Sequence, residues 1–140
     1  MNKIAVVYWS ATGNTEMMAN AVAEGGKSAG AEVCLFEASA FAPEKVDEFD
    51  TIAFGCPAMG AEVLEEEEFQ PMFDACESRL KGKKIGLFGS YGWGDGEWMR
   101  NWEEQCRNDG AELAYEPVIA NDAPDDEAIA SCRELGKTLA

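Results

Sequence analysis

Short runs of consecutive apolar residues recur along this chain. Between them lie longer stretches in which apolar residues return every three or four positions. The first kind marks strands buried on both faces, the second amphipathic helices. On this pattern residues 3–9 form a strand and 12–29 a helix closed by Gly30. Residues 33–37 form a second strand, and 43–49 a short helix with Pro43 at its first turn. A third strand over 51–56, a helix over 69–80, a fourth strand over 84–90 and a helix over 97–109 ended by Gly110 follow. A fifth strand over 113–120 and a last helix over 125–139 complete the series. Strands alternating with helices predict an α/β fold: a doubly wound five-stranded parallel sheet with right-handed crossovers and helices on both faces, for which the order 2-1-3-4-5 is expected. No linker, repeat or low-complexity stretch interrupts it, so residues 1–140 read as one domain, long enough to bury about 68% of its unfolded surface.

In such a sheet ligands bind beyond the carboxyl ends of the strands, where the strand order reverses. The loop Trp9-Ser10-Ala11-Thr12-Gly13-Asn14-Thr15 sits at the first of these ends. Freed backbone N–H groups and the positive end of the helix dipole favour an anion there, and hydroxyls of Ser10, Thr12 and Thr15 can complete its shell. The loop holds no Lys or Arg and fits neither the G-x-x-x-x-G-K-[ST] nor the G-x-G-x-x-G pattern. One phosphate held by neutral donors suits it best, and a helix cap made by Ser10 or Thr12 is the plainer alternative. The loop Ser90-Tyr91-Gly92-Trp93-Gly94-Asp95-Gly96 alternates glycines with large aromatics, so Tyr91 or Trp93 can stack on a flat ring or fold back onto the sheet edge. In Cys56-Pro57-Ala58-Met59-Gly60-Ala61-Glu62 a soft methionine stands beside a glycine, an arrangement that simple packing also explains. Glu62, Glu65, Glu66, Glu67 and Glu68 read as a solvated helical face next to the same crevice. In the order 2-1-3-4-5 these loops follow three neighbouring strands, so all three converge.

Charge narrows the partners. Eleven basic against 27 acidic residues give −16, which repels nucleic acid and anionic membranes and favours a partner with a basic docking face. The N-terminus does not read as a signal peptide, and no apolar run approaches the ~18 residues that span a membrane. The five cysteines form no C-x-x-C and read as reduced, buried thiols of a cytoplasmic protein, not as zinc ligands. With no histidine, His-based acid–base chemistry and His-ligated metals are excluded.

Three segments, Trp9-Ser10-Ala11-Thr12-Gly13-Asn14-Thr15-Glu16, Ala58-Met59-Gly60 and Leu87-Phe88-Gly89-Ser90-Tyr91-Gly92-Trp93-Gly94-Asp95-Gly96, resemble those of flavodoxins, specifically the short-chain flavodoxins of anaerobes such as clostridia. The likeness runs over essentially the whole chain. It implies FMN as a non-covalent cofactor, with its phosphate in loop 10–15 and its ring between Met59 and Trp93. Glu62 would lie near the pyrimidine edge, loop 90–96 would enclose the ring, and Asn121 or Asp122 would border it. Trp9, Ala11, Gly13, Asn14, Pro57, Ala58, Gly60 and Ala61 complete the implied cofactor-binding set; no catalytic residue and no metal are implied.

The implied function is that of a low-potential one-electron carrier using the semiquinone/hydroquinone couple, not an enzyme. It would serve redox enzymes in place of ferredoxin, as a monomer. In this group the peptide after the Gly60 position flips on reduction, so that its carbonyl accepts a hydrogen bond from the flavin N5. Ala61 departs from the Asp, Asn, Ser or Gly common at the next position, and alanine tolerates positive φ poorly. A small FMN-dependent quinone reductase on the same fold is the alternative, although 140 residues leave little room for a substrate site and no basic cluster would hold a pyridine nucleotide. A receiver-like module would need an acidic pocket at the strand ends and a lysine after the last strand, and neither is read here.

Overall fold

Residues Ile4 to Val7 are almost fully excluded from solvent and form the middle of strand β1 (Lys3–Tyr8). The structure, a computed structural model, describes residues 2–60, 62–92 and 94–140. Strand β1 pairs in parallel with β2 (Glu32–Glu37) and β3 (Thr51–Gly55), and β3 pairs with β4 (Lys84–Tyr91). The sheet runs β2-β1-β3-β4-β5, the expected order.

The expected single fifth strand over 113–120 is broken in two. Segment β5 (Glu112–Leu113) pairs with the start of β4, and β6 (Val118–Asn121) pairs with its end. After Ala114, whose N–H still reaches the Ile85 carbonyl (2.9 Å), the chain leaves the ladder until Val118. Pro117 has no N–H with which to continue it.

Side chains alternate across the strands, so two cores form. Helices α1 (Asn14–Ser28) and α4 (Asp126–Leu139) cover one face over Ile4, Val6, Ala53 and Phe88. Helices α2 (Phe69–Cys76) and α3 (Glu97–Asn108) cover the other over Val7, Ile52, Phe54 and Leu87. The Trp102 ring packs edge to face there against Phe69 and Phe73 at 5.4–5.7 Å. The helix expected over 69–80 tightens after Cys76 into a 3₁₀ turn (Glu77–Arg79), and the short helix after Pro43 is also 3₁₀ (Pro43–Glu48). Helix α1 begins at Asn14 instead of residue 12, because Gly13 at φ 96° is not helical.

On the first face α1 and α4 touch backbone to backbone. A Cβ on Gly25 would lie 2.0 Å from the Arg133 carbonyl oxygen, and one on Gly136 2.0 Å from that of Val22. This contact holds the carboxyl-terminal half of α1 against α4.

Candidate functional site

Strands β1, β3 and β4 end side by side at Tyr8, Gly55 and Tyr91, and their three following loops meet around a cavity of about 230 Å³. Trp9, Ser10, Ala11, Thr12, Asn14 and Thr15 line it from the first loop. Pro57, Ala58 and Met59 come from the second, and Ser90, Tyr91 and Gly92 from the third. Asp122, just past β6, closes the wall. Larger grooves lie along β6 and α4 (about 460 Å³) and beneath the strand amino ends (about 510 Å³), but neither gathers the three loops.

Some of the first loop's donors are used within the loop. Ser10 Oγ accepts from the N–H groups of Gly13 (3.1 Å) and Glu16 (3.3 Å). The N–H groups of Ala11, Thr12, Asn14 and Thr15 find no acceptor among the described residues. Thr15, 1% exposed, joins its hydroxyl to that of Ser90, 6% exposed, at 3.1 Å, which fastens the start of α1 to the end of β4. Among the described residues that line this cradle there is no Lys or Arg, so any anion there is held by dipoles. At its rim the Tyr8 hydroxyl donates to Glu16 Oε2 (3.3 Å), and the Trp9 indole N–H donates to Glu68 Oε1 (3.0 Å). Burial, and then the charges of Glu16 and Glu37, raise the Tyr8 pKa.

The second loop is stitched to β4: the Cys56 N–H donates to Phe88 O (3.1 Å) and that of Ala58 to Ser90 O (3.0 Å). Met59 N–H donates to Val63 O (2.9 Å), and Glu62 N–H to Met59 O (2.8 Å), closing a turn in which Glu62 adopts φ 58°. The Glu62 carboxylate then faces α3, accepting the Trp98 N–H at 2.9 Å, and does not line the cavity. It lies against Gly94, where a Cβ would sit 2.1 Å from Oε1.

The acidic run differs from the expected solvated helical face. Residues 62–68 are not helical, and α2 starts only at Phe69. Glu65 is 5% exposed and its carboxylate accepts the N–H groups of Glu67, Glu68 and Phe69 at 2.7–2.8 Å. Burial pushes its pKa upward, but the three donors outweigh that and hold it below the usual carboxylate value.

Other predicted residues stand around the cavity without lining it. Gly13 shapes the first loop, Gly60 occupies open space, and Gly96 precedes α3 in a left-handed conformation. Asp95 pairs with Arg100 (3.0 Å). Asn121 donates from Nδ2 to the carbonyls of Tyr91 (3.4 Å) and Gly92 (3.5 Å), bracing the third loop from behind. Its neighbour Asp122 lines the wall at φ 56°, its N–H held by Tyr91 O at 2.7 Å. Ala61 and Trp93 lie outside the described residues. Sequence reasoning passed over Trp98, whose place on the apolar face of α3 gives the signal of an ordinary core residue. Among the described residues no group of three or more Cys, Asp or Glu is arranged to hold a metal, and no helix is long and apolar enough to cross a membrane.

A family model described as "Flavodoxin" matches residues 6–136. A flavodoxin from Clostridium beijerinckii is 44% identical over 135 residues, covering 96% of this chain and 97% of that protein. One from Megasphaera elsdenii is 45% identical over 140 residues, covering 98% of each. The solution structure of two-electron reduced Megasphaera elsdenii flavodoxin superposes with a TM-score of 0.90 at 44% identity, over 97% of both chains.

Proposed function

The chain belongs to the flavodoxin family, as an FMN-binding carrier of electrons between redox enzymes, and we propose that the cavity between its three strand-end loops is where FMN sits. The observation that carries this reading is the convergence of two unlike half-sites on one space. At one end the unpaired N–H groups of Ala11, Thr12, Asn14 and Thr15, with hydroxyls and no Lys or Arg among the described lining residues, suit a single phosphate. At the other, Met59, Ala58 and Tyr91 offer soft and apolar surface to a flat ring. FMN, when bound, supplies a ring system that takes up and releases electrons one at a time.

The residues have distinct tasks. Ser10, Thr12, Asn14 and Thr15 hold the phosphate, and the Thr15–Ser90 bridge fixes its distance from the ring-binding loops. Asn121 braces the third loop, and Gly94 and Gly96 let that loop pass close to Glu62 and α3. Trp93 and Ala61 enter the set on the motif alone. The quinone-reductase alternative is not favoured, since the chain matches flavodoxins along nearly its whole length.

Charge supports a low potential and a basic partner. Of the 11 Lys and Arg residues, all except Arg100 lie at the strand amino ends, in the segments leading to them or in the carboxyl halves of helices. Arg100, alone near the site, is paired with Asp95. The opposite pole carries Glu16, Glu37, Glu62, Glu65 to Glu68, Asp95, Glu97 and Asp122. One unit charge about 10 Å from an added electron opposes it by about 1.7 kcal/mol at an effective dielectric near 20, or about 70 mV. The same field steers basic docking faces toward the cavity end, in the cytoplasm and with the carrier as a monomer.

Titration of the apoprotein with FMN tests the site. One equivalent is taken up with quenching of flavin fluorescence, and Trp93→Ala weakens the binding. A wild-type protein that takes up no FMN overturns the reading.

A further inference from the structure

The loop from Cys56 to Glu62 is fastened at both ends by one residue. At its entry the indole N–H of Trp98 donates to the Cys56 carbonyl (3.2 Å). At its exit the backbone N–H of the same residue donates to Glu62 Oε2 (2.9 Å). Trp98 is 2% exposed, so water competes little for either bond. The middle is held differently: Met59 N–H reaches Val63 O, while a Cβ at Gly60 would meet nothing within 4 Å. The loop therefore has fixed flanks and an open tip.

We propose that Trp98 is a positioning residue for the redox centre. By fixing Cys56 and Glu62 together it confines any rearrangement of this loop to the tip at Gly60, and so sets how differently the loop binds oxidised and reduced FMN. The proposal rests on the FMN site described above. Only a differential interaction moves a potential; a contact equal in both states shifts nothing. Without the indole donor the buried Cys56 carbonyl loses its hold on α3, and the entry flank is left with only the bonds of Cys56 and Ala58 to β4.

Trp102 supplies the control. It lies on the same helix, is 1% exposed, and its indole N–H has no partner, so Trp102→Phe removes a like part of a buried ring without removing a hydrogen bond. In Trp98→Phe, the ratio of FMN dissociation constants for oxidised and reduced cofactor changes at least threefold from wild type, about 28 mV in a one-electron midpoint. In the same variant's apoprotein, amide hydrogen exchange at Met59 and Glu62 quickens at least tenfold. Trp102→Phe moves neither. If Trp98→Phe does not fold, benzothienylalanine at position 98, which keeps the ring shape and lacks the N–H, is put through both measurements. A ratio within threefold of wild type, unchanged exchange, or equal effects from Trp102→Phe overturns the proposal. Failure of wild type to bind FMN refutes the site reading instead, and exchange in the apoprotein still decides the role of Trp98.

Discussion

Glu65 stands in a run of five glutamates within seven positions, yet it alone is buried with three backbone donors on its carboxylate. Nothing in the run's composition marks it; its distance from Phe69, where α2 begins, does. It replaces the missing hydrogen bonds of the first turn, so Glu65→Gln lowers stability by about 1–2 kcal/mol at pH 7. Because the folded-state pKa is depressed, this contribution is present above the unfolded value near 4.3 and fades as pH falls through the folded one. Urea unfolding of both proteins between pH 7 and pH 3.5 shows the gap closing toward the acid end. The thiols are a second case. Burial pushes Cys56, Cys106 and Cys132 up to about 12 and Cys76 to about 11, whereas Cys34 is only half-buried. A disulfide thiol reagent at pH 8 therefore modifies at most Cys34 in the folded protein, and all five after unfolding, by mass spectrometry.

Among the elements, helices and central strands were legible because burial imposes their period on the sequence. The break between β5 and β6 was not, since the apolar run through 113–120 hides a Pro117 whose effect depends on the neighbouring strand. The α1–α4 contact was equally silent: Gly25 and Gly136 read as weak points of two helices. In the fold they are the places where two backbones touch. Gly25→Ala or Gly136→Ala costs about 3 kcal/mol through forced separation of the helices. Gly30→Ala, at φ 95° with nothing within 4 Å, costs only the left-handed strain of about 1–2 kcal/mol. Midpoints of urea unfolding rank the three variants in that order.

The whole molecule is an acidic protein with its basic residues, Arg100 excepted, gathered at the pole away from the cavity. Electron transfer to a basic partner therefore slows about tenfold or more as ionic strength rises from 0.01 to 0.5 M in stopped-flow measurements. Glu66→Gln with Glu67→Gln flattens that dependence, while Glu44→Gln with Glu48→Gln at the other pole leaves it nearly unchanged. The sequence by itself determined the alternation of strands and helices, the parallel sheet and its two buried faces, because periodic burial and crossover handedness leave few alternatives. It also carried the motifs of the first and third loops, whose glycines and hydroxyls act through local backbone geometry. Only the tertiary structure decided that Glu62 turns to α3, that Asp122 lines the wall where Asn121 braces it, and that Trp98 holds the second loop at both ends. Those contacts join residues 29 to 42 positions apart, and their geometry depends on how loops settle on one another after the sheet has formed.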